Sequence, residues 1–116
     1  MDILENFVDV YIGTALEIVQ GNGSLNRDDF DNFVFENVST RTGFSIKDVK
    51  YLHHVFHWNL FLRSYSPLEI VVPSEVTGSY QVRLKKDVPK KSELVSHILE
   101  ENREWLKARL ERIGRI

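Results

Sequence analysis

Five cations lie close together between residues 83 and 91. They are Arg83, Lys85, Lys86, Lys90 and Lys91, interrupted by a single acid, Asp87. Cations at this density can neutralise several phosphates of a nucleic acid, which gives an affinity that falls steeply with salt. Lysines on an exposed strand also prevent sheet edges from pairing with other chains. The cluster is therefore compatible both with phosphate binding and with protection of a sheet edge.

Two histidines, His53 and His57, lie four residues apart and share one face of a predicted helix, with Asp48 about one turn earlier. Imidazoles at this spacing can begin a metal site, but the HExxH pattern is absent and no third ligand is assured. The chain contains no cysteine, no GxSxG motif and no phosphate-binding glycine loop. We therefore expect no metal site, no cofactor and no enzymatic activity.

The composition is typical of one globular domain. The chain has 116 residues, of which 42% are hydrophobic and 28% are charged, and this length can bury a core of its own. No apolar run approaches the length of a membrane-spanning helix, and the first five residues are acidic and amphipathic, unlike a signal peptide. These features predict one soluble, cytoplasmic domain over residues 1–116 with no membrane contact.

Charge is divided unevenly along the chain. The net charge is −2 and the isoelectric point is about 6.1, a balance that argues mildly against a general nucleic-acid binder. Residues 1–40 carry eight acidic side chains and one basic one, a net charge of −7, whereas residues 41–116 have a net charge of +5. A positive face in the later part of the chain is therefore possible.

Apolar residues at steps of three and four predict helices in the first half of the chain. A first amphipathic helix covers Ile3 to Val19, and a turn follows at residues 21–24. Asn26 is a candidate cap for a shorter second helix whose apolar residues include Phe30, Phe33, Val34 and Val38. A third helix begins after Ser45, and we expect its apolar residues, Trp58 included, to face the core.

The second half of the chain predicts two strands and a long helix. Residues 70–72 are β-branched and precede Pro73 and Gly78, which indicates a strand entering a loop. Residues 79–85 alternate, with Tyr80, Val82 and Leu84 on one face, as expected of a half-buried antiparallel strand. After Pro89, a broad apolar stripe predicts a helix over residues 92–113.

The segment from Val38 to His53 resembles a helix-turn-helix. Gly43 can adopt the left-handed conformation that ends a helix, Phe44 can fill the corner, and Ser45 can cap the next helix together with Asp48. With the two strands that follow, the order of elements resembles a winged helix. The resemblance implies an α+β, mostly helical fold, with a winged-helix core over residues 1–88 and an additional C-terminal helix over residues 89–116.

This resemblance also implies a DNA-binding surface. Residues 45–58 would form the recognition helix, and since Val49 and Leu52 point inward, its outer face would carry Ile46, Lys47, Lys50, Tyr51 and His54. The resemblance further implies phosphate contacts by Ser39, Thr40 and Arg41 in the preceding turn and by Arg83, Lys85 and Lys86 on the hairpin. Solvated lysines and a tyrosine packed at the helix edge would produce the same pattern without DNA.

We expect a small DNA-binding protein that acts in transcriptional control or another DNA-directed process. The C-terminal helix would join two copies into a homodimer through Leu99, Trp105, Leu106 and Leu110. The alternative is a non-enzymatic adaptor or inhibitor that docks its acidic N-terminal half on a protein partner. This alternative explains the low isoelectric point better than DNA binding does. The two interpretations differ in one observable: whether the acidic side chains or the lysines converge on one surface.

Overall fold

The structure is a computed structural model that describes residues 2–72 and 80–116. In these ranges the helices are α1 (Ile3–Asn22), α2 (Arg27–Thr42), α3 (Ile46–His57) and α4 (Lys91–Arg112), and the strands are β1 (Ser24–Asn26), β2 (Leu68–Val71) and β3 (Gln81–Leu84). A π-helix, Trp58–Leu62, continues α3 directly. The predicted class, α+β and mostly helical, is confirmed. No helix in the described part of the chain is both long and apolar enough to cross a bilayer.

Side-chain caps fix where the first three helices begin. The carboxylate of Asp2 accepts a hydrogen bond from the backbone N–H of Glu5 at 2.8 Å. Asn26 accepts from the N–H of Asp28 at 2.8 Å, as its predicted role as a cap requires. Each bond satisfies a backbone donor that the first helical turn leaves unpaired, so these residues define the helix starts locally.

The turn between α2 and α3 has the predicted geometry. Gly43 ends α2 with φ +78° and ψ +4°, a left-handed conformation that glycine adopts without strain. Phe44 is buried in the corner, and the Ser45 hydroxyl accepts a hydrogen bond from the N–H of Asp48 at 3.1 Å. Val49 and Leu52 are fully buried, so the orientation predicted for α3 is confirmed.

The strands form an antiparallel sheet in the order β1-β3-β2. Val82 in the central strand pairs with Leu25 on one side and with Ile70 on the other. Strand β1 was not predicted: Ser24 was placed in the turn over residues 21–24 and Asn26 was predicted as a helix cap, and residues 24–26 carry no periodicity that would reveal a strand this short. Its pairing with β3 is a long-range contact, which local sequence patterns do not encode.

The predicted hairpin differs from the observed one at its outer end. Tyr80 was expected to share the buried face of Val82, but it precedes β3 and is 55% exposed. The prediction that the β2–β3 loop contains Pro73, Gly78 and the start of a strand at Ser79 lies outside the described residues.

Two aromatic residues predicted to face the core are exposed. Phe33 is 43% exposed, because the buried stripe of α2 runs through Phe30, Val34 and Val38. Trp58 is 45% exposed. It lies two residues beyond the buried Phe56, and residues two apart point to different sides of a helix.

Helix α4 is part of the same core as the helices before it. It packs against both α1 and α3, and its inward residues Leu94, Ile98, Leu106 and Leu110 are each no more than 1% exposed. Two of the four residues predicted to join a homodimer, Leu106 and Leu110, therefore have no surface to offer a second copy. That prediction is wrong for them, because α1 and α3 already cover the apolar stripe.

Candidate nucleic-acid interface

The outward face of α3 carries most of the residues implied for the recognition helix. Ile46 is 41% exposed, Lys47, Lys50 and His54 are exposed, and Tyr51 is half-buried. The burial of Val49 and Leu52 turns Lys47, Lys50, Tyr51 and His54 away from the core. Ile46 lies three positions before Val49 and is exposed in the first turn of the helix.

The C-terminal end of α4 lies beside this face. The guanidinium carbon of Arg109 lies 4.6 Å from the ring centroid of Tyr51 and 4.2 Å from that of Trp105. Arg112 Nη1 donates to the Tyr51 hydroxyl at 3.5 Å, and this hydrogen bond lowers the pKa of Tyr51. Arginine stacked on aromatic rings is held in place without losing its charge.

Past the end of α4, Arg115 reaches the turn between α2 and α3. Its Nη2 donates to the Gly43 carbonyl oxygen at 3.2 Å, and its guanidinium carbon lies 4.3 Å from the Phe44 ring centroid. The C-terminal segment therefore adds positive charge along the length of α3.

Together these cations define a surface that we call the basic surface. Its members are Lys47, Lys50, Arg109, Arg112 and Arg115. Within residues 2–72 and 80–116, none of the five lies within 4.0 Å of a carboxylate oxygen. Their charge is therefore not neutralised by ion pairs in this part of the molecule.

The turn residues proposed as phosphate contacts make internal bonds instead. Ser39 Oγ donates to the Phe44 carbonyl oxygen at 2.6 Å, and Thr40 Oγ1 donates to the Glu36 carbonyl oxygen at 3.0 Å. Arg41 bonds Thr14 Oγ1 at 3.0 Å and Glu17 Oε2 at 2.8 Å. These contacts hold α2 against α1 and close the turn, so each of the three side chains already has a hydrogen-bond partner within the protein.

The hairpin cations do not join the basic surface. Arg83 pairs with Glu69 at 2.8 Å. Lys85 and Lys86 follow β3 at the end of the hairpin away from the β2–β3 loop, since Leu84 pairs with Leu68 at the start of β2. They line a hollow with Tyr65, whose ring stacks on His97.

The hollow lies beside the N-terminal half of α4, whereas the outward face of α3 lies beside the C-terminal end of α4. His97 and Arg112 are fifteen positions apart on one helix, which corresponds to roughly 22 Å at the helical rise. The structure therefore does not bring Lys85 and Lys86 together with the outward face of α3.

Acidic residues of α1 are largely neutralised within the molecule. Glu17 pairs with Arg41, and the hydrogen bond from that guanidinium lowers the pKa of the Glu17 carboxyl. Asp9 pairs with Lys91 at 3.1 Å. Asp2 and Glu5 both lie within 4.0 Å of Arg103. Each of these ion pairs links α1 or its cap Asp2 to another helix, and together they offset part of the negative charge of residues 1–40.

The histidine pair is engaged by neighbouring protein groups. His53 Nδ1 is 2.7 Å from the Lys50 carbonyl oxygen. Arg27 Nη2 lies 3.4 Å from His57 Nδ1, and burial together with the nearby guanidinium lowers the pKa of His57. In the described residues, no three His, Asp or Glu side chains are arranged to hold a metal ion.

A cleft of about 360 Å³ adjoins the basic surface. We call it the tryptophan cleft; its lining includes Trp58 and Trp105 together with His54, Asn59, Arg63 and Asn102. The side chain of Asn59 is fixed on both sides, since its Nδ2 donates to the Val55 carbonyl oxygen and its Oδ1 accepts from the Tyr65 hydroxyl, both at 2.7 Å. The cleft lies between the C-terminal end of α3 and α4.

Sequence reasoning missed the three arginines of the basic surface and the position of Trp58. A usable signal exists for both. Trp105, Arg109 and Arg112 recur at helical spacing, which places them on one side of α4, and Trp58 follows His54 by four residues on the outward side of α3. That α4 would lie beside α3 depends on tertiary packing and could not be inferred from these patterns.

Comparisons with known proteins identify no relative. No protein-family model matches the chain, and no curated protein or solved structure is significantly similar to it.

Proposed function

We propose that this protein binds duplex DNA through the outward face of α3 and the C-terminal end of α4. The observation that carries the proposal is the basic surface, where two lysines on the outward face of α3 and three arginines at the C-terminal end of the chain are free of ion pairs within the described residues. Lysine and arginine at such a surface release counterions from the phosphate backbone, which drives binding. The low overall charge does not oppose this, because binding depends on the local field.

The arrangement of elements also supports the proposal. Three helices, a glycine turn before α3 and an antiparallel β2–β3 pair follow the order of a winged helix-turn-helix. In such a domain α3 is the recognition helix. The proposal differs from the usual arrangement in its second phosphate contact, which comes from Arg109, Arg112 and Arg115 rather than from the hairpin lysines.

A second candidate function is docking on a basic protein partner. Four acids of α2, namely Asp28, Asp29, Asp31 and Glu36, have no cation within 4.0 Å among the described residues. This favours an adaptor or inhibitor that uses α2, although Asp31 is half-buried and burial raises the pKa of its carboxyl. We rank it second because the other four acids of residues 1–40, namely Asp2, Glu5, Asp9 and Glu17, are paired with cations of the same chain.

The test is fluorescence anisotropy of a labelled random-sequence duplex, titrated with the protein over a series of salt concentrations. If all five cations contact phosphates, the logarithm of affinity should fall against the logarithm of salt with a slope of about −4.5. The double variant Lys47→Ala/Lys50→Ala should bind more weakly and reduce the steepness of the slope by about 1.8.

The matched control is Lys85→Ala/Lys86→Ala, which removes the same charge from the hairpin end and should leave the slope unchanged. Absence of duplex binding at low salt would overturn the proposal and favour the adaptor. Equal losses from both double variants would show that binding follows net charge rather than this surface.

A further inference from the structure

The tryptophan cleft lies at the edge of the basic surface and is continuous with it. Arg109 stacks on Tyr51 at 4.6 Å and on Trp105 at 4.2 Å, so one guanidinium belongs to the basic surface and also packs on a wall of the cleft. His54, on the outward face of α3, lines the cleft as well. A strand following the basic surface would therefore pass the mouth of the cleft.

The walls of the cleft are suited to a flat aromatic group. Trp58 is 45% exposed, and Trp105 contributes a second indole from α4. Arg63 lines the cleft with its guanidinium carbon 5.6 Å from the Trp58 ring centroid, and its Nη2 also pairs with Glu101 Oε2 at 3.6 Å. Tryptophan rings with a neighbouring arginine are the groups on which proteins stack unpaired bases.

Polar groups in the cleft suit the edge of a base. Asn102 Nδ2 donates to the Ile98 carbonyl oxygen at 3.2 Å, but its Oδ1 accepts no hydrogen bond within residues 2–72 and 80–116. The ring nitrogens of His54 likewise have no hydrogen-bond partner in that part of the chain. A carbonyl acceptor and an imidazole can bond the donors and acceptors on a base edge.

The backbone beside the cleft is unusual. Trp58 and Asn59 belong to the π-helix, Trp58–Leu62, which directly follows α3. Short π-helical turns are rare and are found frequently at functional sites. Here the buried side chain of Asn59 makes two hydrogen bonds that hold the turn in place, while Trp58 is directed outward.

We infer that the tryptophan cleft binds an unpaired nucleobase of a DNA strand whose phosphates lie on the basic surface. The inference rests on the proposed function of that surface, and it extends the ligand from plain duplex to DNA with an unpaired segment. An exposed base would stack on Trp58, and its edge would meet Asn102 and His54.

The test compares a blunt duplex with a single strand of the same sequence by fluorescence anisotropy at one salt concentration. Trp58→Ala should weaken single-strand binding by roughly five- to 150-fold, the range found for losing one stacked base, and should leave duplex binding unchanged. Trp58→Phe, which keeps an aromatic ring, should retain most of the affinity. Leu62→Ala is the matched control, because Leu62 is 53% exposed in the same π-helix but does not line the cleft.

The outcomes separate this inference from the function on which it rests. Single-strand binding that depends on Trp58, without any duplex binding, would support the cleft and overturn the duplex proposal. Duplex binding that depends on Lys47 and Lys50, with single-strand binding unaffected by Trp58→Ala, would overturn the cleft alone. If a free nucleoside monophosphate competes as strongly as the strand, the occupant is a free nucleotide and the inference is wrong. Absence of binding to either DNA form would overturn both.

Discussion

Replacing Leu106 by alanine tests whether α4 stabilises the single chain or a dimer. Leu106 is 1% exposed and belongs to the same buried cluster as the apolar residues of α1 and α3. Replacing a fully buried leucine by alanine costs about 2–5 kcal/mol, because the protein loses the transfer free energy of the removed atoms and also bears the free-energy cost of the cavity they leave. Domains of this size are stable by about 5–15 kcal/mol in total, so the loss is a large fraction of the free energy of unfolding.

Urea unfolding followed by circular dichroism measures this loss. With a urea dependence of about 2 kcal/mol per molar, the middle of the usual range, the midpoint should fall by about 1–2.5 M. Because Leu106 is buried within one chain, the urea midpoints of the wild type and of Leu106→Ala should both be independent of protein concentration. Lys107→Ala is the matched control, since Lys107 is the exposed neighbour on the same helix and its loss should change stability little.

Two results would contradict a role for Leu106 in the core of the single chain. A loss below about 1 kcal/mol would show that α4 does not contribute to the core in the way described. A midpoint that rises with protein concentration in the wild type and loses that dependence in Leu106→Ala would place Leu106 between two copies.

Three further predictions concern single contacts. Because the pKa of His57 is lowered by burial and by Arg27, the unfolded chain binds a proton more readily; the urea midpoint should therefore fall as pH decreases below about 6.5, and His57→Gln should reduce that slope. Ser39→Ala removes the 2.6 Å bond to the Phe44 carbonyl and should cost about 0.5–1.5 kcal/mol in urea unfolding, with DNA affinity unchanged; a selective loss of affinity would restore its role as a phosphate contact. Gly43→Ala places a side chain at φ +78° and should lower the thermal midpoint, by an amount equivalent to about 1–2 kcal/mol; an unchanged midpoint would contradict the strain.

Local sequence signals predicted the features that depend on neighbouring residues. The cap at Ser45, the left-handed Gly43 and the inward stripe of α3 each involve residues within a few positions of one another, so their physical causes are visible in the sequence. The limits of α4 were also predicted to within one residue at each end, because its apolar stripe is long and regular.

Features that depend on distant parts of the chain were not predicted. Strand β1 forms because residues 24–26 meet β3 more than fifty positions later, and no local pattern encodes such a contact. Arg109 and Arg112 became part of the candidate interface only because α4 packs beside α3. Arg41 was proposed as a phosphate contact from its position in the turn, but its partners, Thr14 and Glu17, are on α1.

Chemical-shift mapping by nuclear magnetic resonance is the most direct test of the proposed interface. A short duplex is titrated into isotope-labelled protein at low salt, and the backbone amide shifts are followed residue by residue. We expect the largest changes at Lys47, Lys50, Arg109 and Arg112, with little change along β3. Absence of changes, or changes confined to residues 83–91, would contradict the assignment of α3 and the C-terminal end of α4 as the DNA-binding surface.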